Sequence, residues 1–230
     1  MTMKKAEGAV GRAAGALMDF AFPPSCPCCG RLTEKDRPIC GECEEKLVPA
    51  RLSVSPPEGC EYSASAFVYD GPAKSGVLSM KDGAGRAFAA YTAELLAPRV
   101  GSSATLVTSV PMHALKRLAR GSDQAEVFGR MLAERLGLPY KKGLLRCRLS
   151  LKRQHDLAAP ERRIHAESIF EKAPDAESLE GQRVIICDDI LTTGSTLSVC
   201  ARLLLELGAK EVGAVTVCRT SPPEEKRKNE

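Results

Sequence analysis

Two adjacent acids followed by a run of hydroxyl residues are the part of this chain best suited to chemistry. The stretch from residue 184 to 196 reads VIICDDILTTGST. Its four leading apolar residues predict a buried strand, its Thr/Gly/Ser run predicts a tight turn, and the apolar spacing over residues 197–207 predicts a helix. Helix N-termini bind phosphate through free backbone N–H groups. Since Asp188 and Asp189 end the strand, they can accept hydrogen bonds from the two hydroxyls of a ribose.

Together these features predict a sugar-phosphate site at the carboxyl edge of a parallel sheet, where open α/β folds bind their ligands. The alternative is an ordinary connection between a strand and a helix, with incidental acids and a favourable helix cap.

Two pairs of cysteines near the N-terminus have the spacing of a metal site. Cys26 and Cys29 form one C-x-x-C pair, and Cys40 and Cys43 form the other. Each pair can turn two thiolates toward one ion, so that the two pairs complete the tetrahedral shell of a structural zinc. The alternatives are a disulfide or a redox-active pair, but nothing in the sequence suggests secretion. Cys28 lies inside the first turn, and we expect it to point away from the ion.

The stretch from residue 184 to 196 resembles the 5-phosphoribosyl 1-diphosphate (PRPP) loop of type I phosphoribosyltransferases at all thirteen positions. With the cysteine pairs ahead of it, the chain resembles the competence-protein F (ComF) family from about residue 17 to residue 220. The other segments typical of that family are Phe22-Pro23-Pro24, Val110-Pro111-Met112-His113, Arg120-Gly121, Gln124, Gln154, Leu157, Glu161-Arg162 and Phe170.

This resemblance implies an α/β protein with the type I phosphoribosyltransferase fold, a parallel sheet flanked by helices, behind a small N-terminal four-cysteine zinc-ribbon-like module. It implies that Asp188 and Asp189 are the catalytic acids, and that Mg²⁺ bridges the ribose and the diphosphate of PRPP. Ribose 5-phosphate or a nucleotide are the other ligands of this kind. The PRPP-binding residues that the resemblance implies are Asp188, Asp189, Leu191, Thr192, Thr193, Gly194, Ser195, Thr196, Met112, His113, Arg120 and Lys81.

Three of these residues also have ordinary interpretations. Lys81 and Arg120 are equally expected as solvated basic side chains, and His113 as a histidine satisfied within a turn.

The chain departs from the family pattern beside the expected diphosphate site. The family usually has Phe-Asn where this chain has Ser122-Asp123, and Lys-Tyr where it has Lys81-Asp82. It often has Asn where this chain has His165. Because Asp82 and Asp123 add carboxylates near an anionic ligand, we expect them to weaken diphosphate binding and turnover.

Composition sets the outer limits of the interpretation. The 230 residues allow one full domain and a small module, and 43% hydrophobic residues are ordinary for a globular protein. The absence of Trp and the 4% aromatic content leave few platforms for base stacking. No stretch approaches the roughly 18 uncharged apolar residues of a membrane span. We therefore expect a cytoplasmic protein.

We expect four segments along the chain. They are an N-terminal amphipathic helix within residues 1–22, centred on 9–20 and unlike a signal peptide, the zinc module 23–48, the phosphoribosyltransferase-like domain 60–220 and a disordered charged tail 221–230. The proline-rich stretch 48–59 predicts a linker. The predicted strands are 64–69, 106–110, 184–187 and 212–218, and the predicted helices are 73–81, 87–96, 125–136 and 194–207. Their alternation argues for a parallel sheet.

Residues 141–163 carry eight basic side chains against two acids. This stretch is interpreted as part of a mobile loop over the ligand site, as a nucleic-acid contact, or as a solvated basic surface. Two functions remain open at this point. One is a phosphoribosyltransferase with an unknown acceptor. The other is a weakly catalytic or non-catalytic PRPP-binding accessory of DNA uptake, whose zinc module docks a partner such as the helicase associated with the family.

Overall fold

The computed structural model describes residues 23–34, 37–51, 55–80, 85–100, 103–113, 115, 118, 122–148 and 166–221. Several predictions fall outside these residues. They concern the N-terminal helix, Lys81, Asp82, Arg120, His165, most of the basic stretch and nearly all of the charged tail.

The elements follow one another in the order strand, helix, strand that the sequence predicts. In chain order they are α1 (Gly41–Glu45), β1 (Tyr62–Val68), α2 (Gly71–Ser79), α3 (Arg86–Leu96), β2 (Leu106–Ser109), α4 (Gln124–Leu136), β3 (Leu145–Cys147), β4 (Phe170–Lys172), β5 (Arg183–Leu191), α5 (Ser195–Glu206) and β6 (Glu211–Arg219). Within the described residues, every strand and helix predicted from 64 to 218 is present, with bounds that shift by up to four residues.

The main sheet has four strands in the order β1-β6-β5-β2, and every pairing in it is parallel. The predicted parallel sheet is therefore confirmed. A second sheet pairs β3 with β4 in the antiparallel sense. The sequence did not predict this hairpin, because each of its strands has only three residues and shows no readable period.

Side chains of β5 alternate between two apolar cores, as expected for a strand covered on both faces. Ile185 and Cys187 pack in one core with Phe128 of α4. Val184 and Ile186 pack in the other with residues of α5. Helices α4 and α5, which follow β2 and β5 in the chain, thus lie on opposite faces of the sheet. A crevice opens at the carboxyl end of such a switch point, between β5 and β2.

The cysteine module is packed against the sheet rather than tethered to it. Ile39 and Leu47 lie in the same core as Phe67 of β1. The Tyr91 hydroxyl of α3 donates to Glu44 Oε1 at 3.0 Å. The module and the larger domain therefore share one apolar core.

Part of the predicted linker is paired with the sheet. The Ala50 N–H donates to the Ala66 carbonyl at 2.9 Å, and the Val68 N–H donates to the Val48 carbonyl at 2.8 Å. An edge strand such as β1 leaves one row of backbone groups without partners, and residues 48–50 satisfy them. The linker prediction is wrong for these residues.

We predict that Phe88 is a main stabilising residue of the core that faces α3 and α4. Its side chain is fully buried, and its ring lies 6.2 Å from that of Phe67. Phe88→Ala should lower the free energy of unfolding by about 3–5 kcal/mol through lost burial and a cavity. Urea denaturation measures this value. Arg86→Ala, at an exposed position of the same helix, is the control and should change it by less than about 0.5 kcal/mol. A similar effect of the two substitutions would contradict the assignment.

Candidate functional site

The paired acids lie inside strand β5, not after it. Asp188 pairs with Thr216 of β6, and Leu191 pairs with Arg219. The Thr220 N–H also donates to the Leu191 carbonyl at 3.0 Å. The prediction that the strand ends at residue 187 is therefore wrong, because pairing with β6 continues the ladder through the acids. This pairing fixes the backbone from which both carboxylates project.

The negative charge of Asp189 lies close enough to Asp188 to disfavour its ionisation. The pKa of Asp188 is raised well above its ordinary value, first by burial of the carboxylate and next by the negative charge of Asp189. One compensating contact exists, since Asp188 Oδ1 accepts from the Asp189 N–H at 2.9 Å. A carboxyl group held this way gains from a cation or from hydroxyl donors that enter the crevice.

The turn after β5 gathers hydroxyl groups and backbone N–H groups at one point. Thr193 Oγ1 and Ser195 Oγ lie 2.9 Å apart. Gly194 has a φ of 78°, in the left-handed region where a side chain would be strained. Helix α5 begins at the next residue without a side-chain cap. Its first N–H groups and the positive end of its dipole therefore face the turn, as in an anion site.

The loop after β2 lies beside the acids. The Val110 N–H donates to the Cys187 carbonyl at 2.9 Å, one residue before Asp188. Met112 and His113 follow directly in that loop. The ring nitrogen Nδ1 of His113 accepts from the Leu115 N–H at 3.2 Å. This contact matches the interpretation of His113 as a turn histidine, and it occupies one of the two ring nitrogens.

Asp123 ends the same loop and caps helix α4. Its Oδ1 accepts from the Glu126 N–H at 3.2 Å, and its Oδ2 accepts from the Met112 N–H at 3.3 Å. The carboxylate is buried at the base of the loop. This capping role of Asp123 was not predicted from the sequence, where only its charge entered. An acid immediately before a predicted helix was the available signal for a cap.

Helix α2 ends against the far side of this loop. Gln124 Nε2 donates to the Val77 carbonyl at 2.6 Å, and Ser122 Oγ donates to the Met80 carbonyl at 3.2 Å. Residue 81 follows Met80, and residues 120–121 precede Ser122. Lys81 and Arg120 themselves lie outside the described residues.

A small cavity of about 210 Å³ adjoins Met112. This cavity was not predicted from the sequence. It is lined by the end of β2, the start of α4 and the segment before β3. The Tyr140 hydroxyl lies 2.7 Å from Ser109 Oγ, and Arg130 covers the Tyr140 ring at 4.6 Å from its centroid. These contacts join residues distant in sequence, so no local pattern signals them.

The four predicted metal ligands meet in one cluster. The sulfur atoms of Cys26, Cys29, Cys40 and Cys43 all lie within 4.8 Å of one another. Cys29 Sγ and Cys40 Sγ are 3.7 Å apart. Sulfurs bound tetrahedrally to one zinc at 2.3 Å are about 3.8 Å apart, so the spacing fits that ion. All ten cysteines of the chain are free thiols, which excludes the disulfide alternative in this structure.

Cys28 is not part of this cluster. It packs at the margin of the core shared with the larger domain. Burial raises the pKa of its thiol to about 12, and the neighbouring cysteines add to the effect. What separates Cys28 from the four candidate ligands is its position outside the sulfur cluster.

Within the described residues, no helix is both long and apolar enough to cross a bilayer.

Two family models match the chain. The phosphoribosyl transferase domain matches residues 100–230, and the double zinc ribbon domain matches residues 17–65. Among solved structures, the chain is 23% identical to the glutamine PRPP amidotransferase of Bacillus subtilis, covering 57% of this chain and 26% of that one with a TM-score of 0.41. The chain is 26% identical to the adenine phosphoribosyltransferase of Thermoanaerobacter pseudethanolicus, covering 62% of this chain and 72% of that one with a TM-score of 0.39.

Three relatives are proteins named for DNA utilization or for competence. The chain is 28% identical over 204 residues to the DNA utilization protein YhgH of Salmonella typhimurium, covering 85% of this chain and 84% of the relative. It is 28% identical to competence protein ComFC of Bacillus subtilis, covering 85% of this chain and 78% of the relative. It is 29% identical to competence protein F of Haemophilus influenzae, over 46% of each chain. The chain therefore belongs to the phosphoribosyl transferase domain family, and its zinc ribbon and these relatives confirm its resemblance to the ComF family.

Proposed function

We propose that this protein binds PRPP in the crevice between β5 and β2. The observation that carries the proposal is the hydrogen bond between Val110 and Cys187, which brings the loop after β2 beside the acids and the hydroxyl turn of β5. The ribose needs hydroxyl acceptors, its 5-phosphate needs N–H and hydroxyl donors, and its diphosphate needs a second anion site. The crevice has candidate groups for all three.

In this proposal the chain's residues divide the ligand among them. Asp188 and Asp189 accept from the ribose 2′ and 3′ hydroxyls. The turn residues enclose the 5-phosphate with their hydroxyls and N–H groups. They are Leu191, Thr192, Thr193, Gly194, Ser195 and Thr196. A bound Mg²⁺ would lie beside Asp188 and Asp189 and would supply positive charge that stabilises the diphosphate.

The diphosphate is assigned to the loop that contains Met112 and His113. Lys81 and Arg120 are proposed as its cationic partners. This assignment is supported by residues close to Lys81 and Arg120 in the chain. The Ser122 hydroxyl donates to the Met80 carbonyl at 3.2 Å. That contact brings together the two chain segments from which these side chains extend.

Transfer of the phosphoribosyl group to an acceptor is one outcome of this binding. The positive charge that develops at C1 would be stabilised by the carboxylates of Asp188 and Asp189. The acceptor is not defined by the described residues. Release of diphosphate from PRPP and Mg²⁺ in the presence of candidate bases tests this activity directly.

The second candidate is a PRPP-binding accessory of DNA uptake. The names of the relatives, DNA utilization protein and competence protein, support it. So does the zinc module, which catalysis does not require and which offers a surface to a partner such as a helicase. Binding of PRPP without diphosphate release from any base would favour this candidate.

We propose further that Cys26, Cys29, Cys40 and Cys43 hold one structural zinc. Cys26 and Cys43 are buried within the core that also contains Phe67 of β1. An ion held at this place would stabilise the module and its contact with the sheet. No open coordination position is needed for such a role.

We predict that Asp188 and Asp189 are required for PRPP binding. The double substitution Asp188→Asn, Asp189→Asn should weaken binding at least about tenfold, since charged hydrogen bonds contribute roughly 1.5–3 kcal/mol each. Calorimetry with PRPP, with and without Mg²⁺, measures the change. Asp175→Asn removes one carboxylate at an exposed position away from the crevice. It is the control and should bind PRPP normally. If the wild-type protein binds neither PRPP, ribose 5-phosphate nor a nucleotide, the proposal fails.

We predict that Asp123 limits the affinity of the diphosphate site. Asp123→Asn keeps a residue that can cap α4, removes one negative charge and releases the Met112 N–H. Affinity for inorganic diphosphate should rise about fivefold or more, since one charge pair is worth roughly 1–4 kcal/mol at such distances. Ribose 5-phosphate, which lacks the diphosphate, is the internal control. An equal gain for both ligands would show that Asp123 does not act on the diphosphate.

We predict that Cys40→Ser loses zinc, whereas Cys28→Ser retains it. The two variants remove the same atom from neighbouring turns, but only Cys40 belongs to the sulfur cluster. Loss of the ion should also expose residues 26–47 to proteolysis, because a structural zinc binds only the folded module. Elemental analysis of the purified proteins counts the zinc. One full equivalent in Cys40→Ser would refute the ligand assignment.

A further inference from the structure

A proline outside the hydroxyl turn lies against the proposed phosphate site. A β-carbon placed on Gly194 would lie 3.2 Å from Cγ of Pro57 and 3.3 Å from its Cβ. The same β-carbon would lie 3.6 Å from Leu191 Cδ1. Pro57 is buried, whereas the preceding Pro56 is exposed. The Pro57 ring thus covers Gly194, from the segment that joins the zinc module to strand β1.

This segment is held in place immediately after Pro57. The Cys60 N–H donates to the Pro57 carbonyl at 2.9 Å and closes a tight turn. Gly59 of that turn lies against helix α5, where a β-carbon would be 3.5 Å from Ala201 Cβ. The Glu61 N–H then donates to the Val212 carbonyl at 2.9 Å. The turn is therefore fixed against the same helix whose N-terminus faces the proposed phosphate.

The other end of the segment is also anchored at the carboxyl edge of the sheet. Arg219 is buried at the end of β6, and its Nη1 donates to the Arg51 carbonyl at 3.4 Å. Arg51 directly follows the residues that pair with β1. Arg51 and Pro57 thus lie near the edge of the sheet that carries the ligand crevice, whereas Glu61 pairs with Val212 at the opposite edge, where β6 begins.

Gly194 needs such confinement. With a φ of 78° it adopts a backbone conformation that only glycine reaches easily, and the same freedom lets it leave that conformation. The turn binds phosphate only when its N–H groups converge, so each alternative conformation lowers affinity. The rigid pyrrolidine ring of Pro57 and the side chain of Leu191, both next to Gly194, reduce those alternatives before the ligand arrives.

We propose that Pro57 is a positioning residue that holds the β5–α5 turn in its phosphate-binding conformation. By this contact the segment leading from the zinc module forms part of the 5-phosphate site. The inference rests on the proposed function, because it assumes that this turn binds the 5-phosphate of PRPP.

The test compares two ligands that occupy different parts of the crevice. Ribose 5-phosphate carries the 5-phosphate, and inorganic diphosphate probes the loop after β2. Binding of both is measured by calorimetry for the full chain with its zinc content verified, well below the thermal unfolding midpoint of each variant. Pro57→Gly removes the ring, and Pro56→Gly is the matched control, because it makes the same change one residue earlier at an exposed position. Pro57→Val restores an apolar branched side chain.

Pro57→Gly should weaken ribose 5-phosphate binding about fivefold or more, the cost of ordering roughly one backbone residue. Inorganic diphosphate binding should stay within about twofold of wild type, Pro56→Gly should bind both ligands normally, and Pro57→Val should recover most of the loss. Pro57→Ala, a smaller change, should show the same selectivity if Pro57→Gly folds poorly.

Two results would overturn the inference while wild-type binding is intact. One is an equal affinity of Pro57→Gly and Pro56→Gly for ribose 5-phosphate. The other is an equal loss for ribose 5-phosphate and diphosphate, which would show a general structural effect. Failure of the wild-type protein to bind ribose 5-phosphate or PRPP would instead refute the proposed function on which the inference rests.

Discussion

The pairing of β5 between β6 and β2 is the interaction on which the candidate site depends. Its ladder with β6 continues past Asp188 to Leu191, so both acids project from fixed backbone. Its pairing with β2 brings the next loop beside those acids. The two segments proposed to bind the phosphates, which are distant in sequence, therefore meet at one edge of the sheet. Without this pairing, the hydroxyl turn at the start of α5 would lack the loop after β2 beside it.

The electrostatics of the crevice follow from this arrangement. Burial and the adjacent charge of Asp189 raise the pKa of Asp188, which means that the protein disfavours two ionised carboxylates there. Hydroxyl donors or a divalent cation relieve that cost when they enter, whereas a free anion does not. The hydroxyl turn beside them favours anions. One crevice thus favours opposite charges at neighbouring points, as a phosphorylated sugar with its cation requires.

The cysteine module is part of the same structure. Its buried residues lie in the core of α3, α4 and β1, and residues 48–50 complete the edge of the sheet. The chain then crosses to Pro57, which covers Gly194. A change in the module, such as loss of its ion or contact with a partner, therefore has a short physical route to the ligand crevice. On either side of residues 52–54, this route consists of backbone pairing and side-chain packing.

The sequence by itself determined those features whose cause is local. The strand, turn and helix of residues 184–207 follow from apolar period, glycine and hydroxyl residues, and the metal cluster follows from two C-x-x-C turns. Only the tertiary structure decided which distant groups meet. Ser65 and Thr216 share a buried hydrogen bond of 2.7 Å across 151 residues, Pro57 rests on Gly194, and Asp123 both caps α4 and binds Met112. Such contacts depend on strand order and packing, which local periodicity does not encode.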